Sequence, residues 1–161
     1  YERTGQLGPD RWYAAIGALS LFRGTPLLVV HAGTATTVDS VFMTGLGEYR
    51  FMGGRIAPGP ALMHKALLSA VPTLDSSLTE HKDFPLCSSD AITTGIIDAQ
   101  VGLIAQAYES MCEAGQRPKI ILAGGSSRFL APRLRTLHPT LIVRHNLVLG
   151  GLAQKARESK R

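Results

Sequence analysis

The sequence has little cysteine and few aromatic side chains: Cys87 and Cys112 are its two cysteines and Trp12 its one tryptophan among 161 residues. Two isolated cysteines build neither a disulfide framework nor a metal pair, so a reducing compartment, the cytosol, is the expected setting. No apolar run approaches the roughly 20 residues a membrane-spanning helix needs, and no positively charged leader precedes one. G-x-G-x-x-G after a first strand and G-x-x-x-x-G-K-[ST] are both missing, which argues against a dinucleotide-binding fold and a P-loop. His64 and His81 lack the H-E-x-x-H setting of a zinc site. Ser89, Ser126 and Ser127 lack the G-x-S-x-G setting of an activated nucleophile.

The formal charge is +5, from 17 basic and 12 acidic residues. That balance suits an anionic small ligand as well as nucleic acid. The basic residues are thinly scattered until Arg128, Arg133, Arg135, Arg144, Lys155, Arg157, Lys160 and Arg161 accumulate. A recurrent basic face with interleaved aromatics is missing, so they read as the solvated face of the last helices rather than a nucleic-acid module. A chain that opens at Tyr1 reads as an internal piece of a longer protein.

What is present is a 45% hydrophobic chain able to bury a sizeable core. Tyr1 to Pro9 reads as a connector. A helix opens at Pro9 or Asp10 and runs to about Leu21, with Trp12, Ile16 and Leu19 on one side and small Ala14, Ala15 and Ala18 for close approach. Strands follow at Leu27 to His31, about Thr36 to Phe42 and about Tyr49 to Arg55, the second and third joined by TGLGE at 44 to 48. The run from Gly53 to Pro60 is too rich in glycine and proline for mid-sheet and is expected to end the third strand. A helix starts at Pro60, and Val71 to Leu86 is a surface excursion. Ser88 or Ser89 is the expected N-cap of a long helix over about Asp90 to Glu113, in which Gly95 and Gly102 suggest tight packing or ligand approach. Strand Lys119 to Ala123, helix Arg128 to Leu137, strand Leu141 to Arg144 and helix Leu147 to Lys160 complete the pattern. Hairpin-linked strands followed by strand and helix alternation predict an α/β fold: a mixed sheet with helices on both faces, in the manner of a ribonuclease H-like lobe.

Four glycine-containing bends fall beside strand ends or helix starts: Gly8 to Arg11, Gly33-Thr34, Gly53 to Gly59, and Gly124-Gly125. Ligands of such sheets collect there. Asp10 and Arg11 at a helix start can pair a base with an anion-gripping cation, as phosphoryl transfer to an alcohol requires, or be an ordinary first-turn Asp and a salt-bridging Arg. The Ala32-Gly33-Thr34 bend is either a plain hairpin turn or an anion nest. His31 is an acid, an anion partner or a satisfied strand-end residue. Asp39, inside an apolar strand, faces a cleft or is held by hydroxyl and backbone donors.

LGPDRW at 7 to 12, AGTATTVD at 32 to 39, GGRIAPG at 53 to 59, and SSDAITTG at 88 to 95 with AGG at 123 to 125 together resemble the type III pantothenate kinases, also called Bvg accessory factor proteins. The resemblance implies the acetate/sugar kinase-Hsp70-actin superfamily, two ribonuclease H-like lobes with ATP between them. On it, residues 1–26 are the connector and last helix of a first lobe absent from this chain, and 27–161 form the second lobe. The intact protein would phosphorylate pantothenate with ATP, Mg2+ and K+ or NH4+, as a homodimer. Asp10 would be the general base; Gly8, Arg11, Gly53, Gly54, Pro58, Gly59 and Ser88 would line the substrate; and Gly33, Thr34, Thr37, Gly124 and Gly125 would hold phosphate and nucleotide. The departure is His31, where the family carries Asp, so a catalytically impaired regulatory or interaction protein is the alternative reading. Alone, the 161-residue chain is expected to be inactive. Neither nucleic acid nor membrane is an expected partner.

Overall fold

The computed structural model describes residues 4–45, 47–74 and 77–160. The first three connector residues, Leu46 of the TGLGE turn, two residues of the excursion after Val71, and Arg161 lie outside the described residues. After a short 3-10 turn the elements are α1 (Pro9–Leu21), β1 (Leu27–Ala32), β2 (Ala35–Thr44), β3 (Glu48–Pro58), α2 (Pro60–Ala70), α3 (Ser88–Glu113), β4 (Lys119–Ala123), α4 (Ser127–Leu137), β5 (Ile142–Val143) and α5 (Leu147–Glu158).

The sheet order is β3-β2-β1-β4-β5. β1 pairs antiparallel with β2 and parallel with β4, β2 and β3 are antiparallel, and β4 and β5 are parallel. This is the mixed sheet the sequence predicts. Central β1 is apolar along its length because both its faces are covered. Leu27 and Val29 pack with Ala14, Ala15, Ala18 and Leu147 under α1 and α5. Leu28, Val30 and Ala32 pack with Ile97, Val101, Ile104 and Leu130 under α3 and α4. No helix among the described residues is long and apolar enough to cross a membrane.

Three expectations are corrected. β3 does not end near Arg55: Gly53 and Gly54 sit inside it, and it continues to Pro58, which pairs with Ala35. An edge strand tolerates this because a missing donor or a bulge there breaks no ladder on its outer side. The register shifts between Ser40 and Val41, and Gly53 takes the left-handed φ of +130° that the bulge demands. The N-cap of α3 is Cys87, not Ser88 or Ser89. Gly95 and Gly102 have open space where a Cβ would stand, so neither marks tight packing within the chain.

The close approach lies instead between α1 and α5. The buried face of α1 is Arg11, Ala14, Ala15, Gly17 and Ala18, while Trp12 is exposed. A Cβ on Gly17 would overlap the Leu147 carbonyl and stand 2.9 Å from the Gly151 nitrogen, and one on Gly151 would overlap the Tyr13 carbonyl. Backbone rather than side chain therefore sets the helix separation. Gly151→Ala is expected to lower stability by about 1–3 kcal/mol through overpacking, outweighing the roughly 1 kcal/mol by which Ala favours a helix. A urea midpoint at or above that of the parent chain would show that the helices can part freely.

Candidate functional site

α1 starts at Pro9, whose fixed φ suits a first helical position. The Gly8 carbonyl accepts the N–H groups of Arg11 and Trp12, both at 3.1 Å. Asp10 is exposed in the first turn, where unpaired backbone N–H groups favour a carboxylate. A Cβ on Gly8 would stand 2.5 Å from Asp10 Oδ1, so glycine leaves room for that carboxylate to fold back over the chain.

Arg11, one residue on, turns inward and is 6% exposed. Its Nε donates to Asp39 Oδ1 at 3.0 Å and Oδ2 at 3.2 Å, and its Nη2 donates to Oδ1 as well. Asp39 is 1% exposed, and the guanidinium carbon lies 5.8 Å from the Phe51 ring centre. Burial pushes the Asp39 carboxyl up from its ordinary range; the hydrogen bonds and charge of Arg11 pull it down, and the charge of Asp10 pushes it up again. Asp39 is buried, and what holds it is the Arg11 guanidinium rather than the hydroxyl and backbone donors expected. Gly54 is its cross-strand neighbour, and a Cβ there would overlap Oδ1 and stand 2.6 Å from Arg11 Nη2. The glycine pair of β3 is thus partly a vacancy for an ion pair. Arg11, expected to touch substrate, is engaged with Asp39.

The bend after β1 is closed by the Gly33 N–H donating to the Ala35 carbonyl at 3.0 Å, while the Thr34 carbonyl accepts from the Gly59 N–H at 2.8 Å. The segments AGT and APG therefore touch. Thr34 is the exposed tip, and Thr37 is buried opposite Ile56 and His31. His31 reaches back over the bend: a Cβ on Gly33 would lie 3.3 Å from its Cε1. His31 also lines a cavity of about 280 Å³ with Ala123, Gly124, Gly125, His145 and Asn146, at the carboxyl ends of β1 and β4 and the start of α5. Gly124 holds φ +96° with Ala32 directly beneath it.

Asp10, Arg11 and Gly54 thus gather around Asp39; Gly33, Thr34, Pro58 and Gly59 gather at one bend; His31, Gly124 and Gly125 share one cavity. Ser88 is not among them. It is exposed at the first position of α3, on the opposite sheet face from α1. Near it Asp90 is paired with Lys82 Nζ at 2.6 Å, and hydrogen bonds from Lys82, then Thr79 and Cys87, hold its carboxyl below the ordinary range.

Sequence reading missed three residues. His145 and Asn146 lie on a loop with no motif. Gln100, buried on α3, donates to the Pro58 carbonyl at 2.9 Å and accepts from Thr36, tying the far end of β3 to the core. A lone Gln beside Ile96, Ile97 and Val101 was the available signal.

A model of the type III pantothenate kinase family matches residues 1–110. A type III pantothenate kinase of Methylobacillus flagellatus is 39% identical over 155 residues, covering 94% of this chain and 62% of that protein. One of Nitrosospira multiformis is 39% identical over 160 residues, covering 99% and 58%. The chain therefore spans about three fifths of the length of the curated relatives it matches. Among solved structures, a conserved protein of Campylobacter jejuni assigned to the Baf family of transcriptional activators superposes with a TM-score of 0.70 at 25% identity, over 98% of this chain and 67% of that one. The archaeal actin homolog Ta0583 gives 0.55 at 14% identity, over 91% of this chain and 53% of that one. The Alp12 filament protein gives 0.61 at 12%, over 94% and 53%. These last two likenesses show the fold alone, an α/β lobe with a mixed sheet flanked by helices.

Proposed function

The chain belongs to the type III pantothenate kinase family, and on that premise we propose that the full-length protein transfers a phosphoryl group from ATP to the hydroxyl of pantothenate, opening coenzyme A synthesis. What supports the reading beyond membership is one piece of geometry: an exposed carboxylate, Asp10, stands at a helix start directly beside an arginine locked in place by Asp39. In the proposed reaction Asp10 accepts or orients the hydroxyl proton, and the bend around Gly33 and Thr34 and the glycines at 124 and 125 receive the phosphates.

Residues 1–26 would be the connector and closing helix of a first lobe, and 27–161 the second lobe. The relatives' further two fifths of length is room for such a lobe, while α1 itself packs on β1 and α5 of this one. Phe84 and Leu86, 88% and 97% exposed ahead of α3, form an apolar pair that a second subunit of a homodimer would cover.

The residues here do not fit a magnesium ion held by this lobe. Among the described residues no group of three or more His, Cys, Asp or Glu can hold a metal. Both oxygens of Asp39 face Arg11, and His31 offers nitrogen where Mg2+ demands oxygen.

A second reading, a catalytically impaired regulatory protein on the same scaffold, draws on His31. The separating measurement is ATP-dependent phosphorylation of pantothenate by the full-length protein with magnesium and potassium supplied. We expect turnover; a folded protein that binds ATP and makes no phosphopantothenate would favour the second reading.

A further inference from the structure

Pro58, Gly59 and Pro60 have one backbone N–H among them, since proline carries none. That N–H, on Gly59, donates to the Thr34 carbonyl at 2.8 Å. The contact is close, for a Cβ on Gly59 would overlap the Gly33 carbonyl oxygen and stand 2.8 Å from that of Thr34. A single hydrogen bond is a weak fastening. Apolar packing adds little to it, because Pro60 is the one buried residue of α2 among the described residues.

Gln100 supplies the second fastening. It is 1% exposed on the buried face of α3 with Ile96, Ile97, Val101 and Ile104, where an amide is costly unless its polar atoms find partners. They do. Its Nε2 donates to the Pro58 carbonyl at 2.9 Å and to Met63 Sδ, in the first turn of α2, at 3.1 Å. Its Oε1 accepts from the buried Thr36 hydroxyl. A carbonyl can only accept, so the amide nitrogen must face Pro58, which leaves the oxygen for Thr36. One side chain thus joins β2 and the end of β3 beside the place where the two bends touch.

Resting on the phosphoryl-transfer reading above, we infer that Gln100 is a positioning residue for the transfer step. It holds Pro58 and Gly59 against Gly33 and Thr34, so that the bend keeps one shape while the phosphoryl group passes. Without it the Gly59 N–H alone joins the two segments, and a bend that opens misaligns the groups receiving the phosphate.

Kinetics and amide hydrogen exchange of the full-length protein and of its Gln100→Met and Thr36→Val variants test this. Methionine keeps the length of glutamine but cannot donate; valine keeps the shape of threonine but cannot orient the amide. Under conditions where the variants are fully folded, Gln100→Met should lower kcat about 10- to 100-fold, the scale of a misplacement of about 1 Å, with KM for ATP and pantothenate little changed. Thr36→Val should lower kcat less, and the double variant should be no slower than Gln100→Met, since both act through one contact. Exchange at the Gly59 N–H should quicken about tenfold in Gln100→Met relative to the amides of β1. A purely structural glutamine would lower the unfolding midpoint and leave kcat of the folded enzyme unmoved. Should Gln100→Met fold poorly, Thr36→Val carries the same test.

A folded Gln100→Met variant within about twofold of an active parent in kcat would overturn the inference and leave the kinase reading standing, as would an effect confined to KM. A parent that makes no phosphopantothenate would sink the reading, and with it the role in transfer. Gly59 exchange unmoved by Gln100→Met would overturn the inference alone.

Discussion

Asp39→Ala should cost about 3–5 kcal/mol of stability, the range for removing one partner of a buried ion pair. The reason is what it leaves behind. Arg11 is buried beside the small core residues of α1, and Asp39 accepts from its Nε and Nη2. With the carboxylate gone, a buried guanidinium that stays charged at any accessible pH loses the counter-charge Asp39 supplies. The same logic forecasts a rescue. Arg11→Met combined with Asp39→Leu removes both charges and fills similar volume, so the double variant should recover most of the loss. Urea unfolding of the two single variants and the double variant decides the matter. A double variant as unstable as the worse single one would mean that the site needs these shapes rather than compensated charge. Gly54 sets a boundary on such repairs, since any side chain there enters the space of the pair.

That pair also marks where sequence reading reached its limit. β1, α1 and the long α3 were legible because periodicity and a first-turn proline encode them locally. The Arg11 to Asp39 contact spans 28 positions; nothing local states which of several arginines meets a buried aspartate. The Gly53-Gly54 stretch was misread for a related reason. Glycine in sequence signals either a strand end or an intrusion from elsewhere, and here the intruders at Gly54 are the Asp39 carboxylate of β2 and the Arg11 guanidinium of α1. The cavity residues His145 and Asn146 were invisible because a two-residue strand, β5, and a left-handed cap carry almost no pattern. Gly17 and Gly151 were passed over although together they set the spacing of two helices, because that meaning exists only once the helices cross. The Gly33-Thr34 bend and Pro58-Gly59 do meet, carried together by the β2–β3 ladder, whereas Gly53 and Gly54 lie inside β3 rather than at its end.

Asp10→Asn in the full-length protein is expected to lower kcat by about 10²–10⁴-fold, the usual contribution of a positioned proton acceptor. The amide has the carboxylate's shape but cannot take the proton of a substrate hydroxyl. Asp10 is exposed and outside both apolar clusters, so the unfolding midpoint should stay near that of the parent. Asn also preserves the fold-back over Gly8, where the carboxylate oxygen now lies, so a steric change at the helix start is not introduced. A loss in kcat with KM for pantothenate little changed would place the missing interaction in the transition state alone. Normal turnover by the folded variant would remove Asp10 from the role of base. A rise in KM at unchanged kcat would make it a binding group instead, leaving the alcohol to lose its proton to solvent or to the departing phosphoryl group. Arg11 separates these outcomes: joined to Asp39, it fixes the helix start that carries Asp10. A variant that unfastens Arg11 should therefore disturb the carboxylate's aim and lower stability together, whereas Asp10→Asn should affect turnover alone.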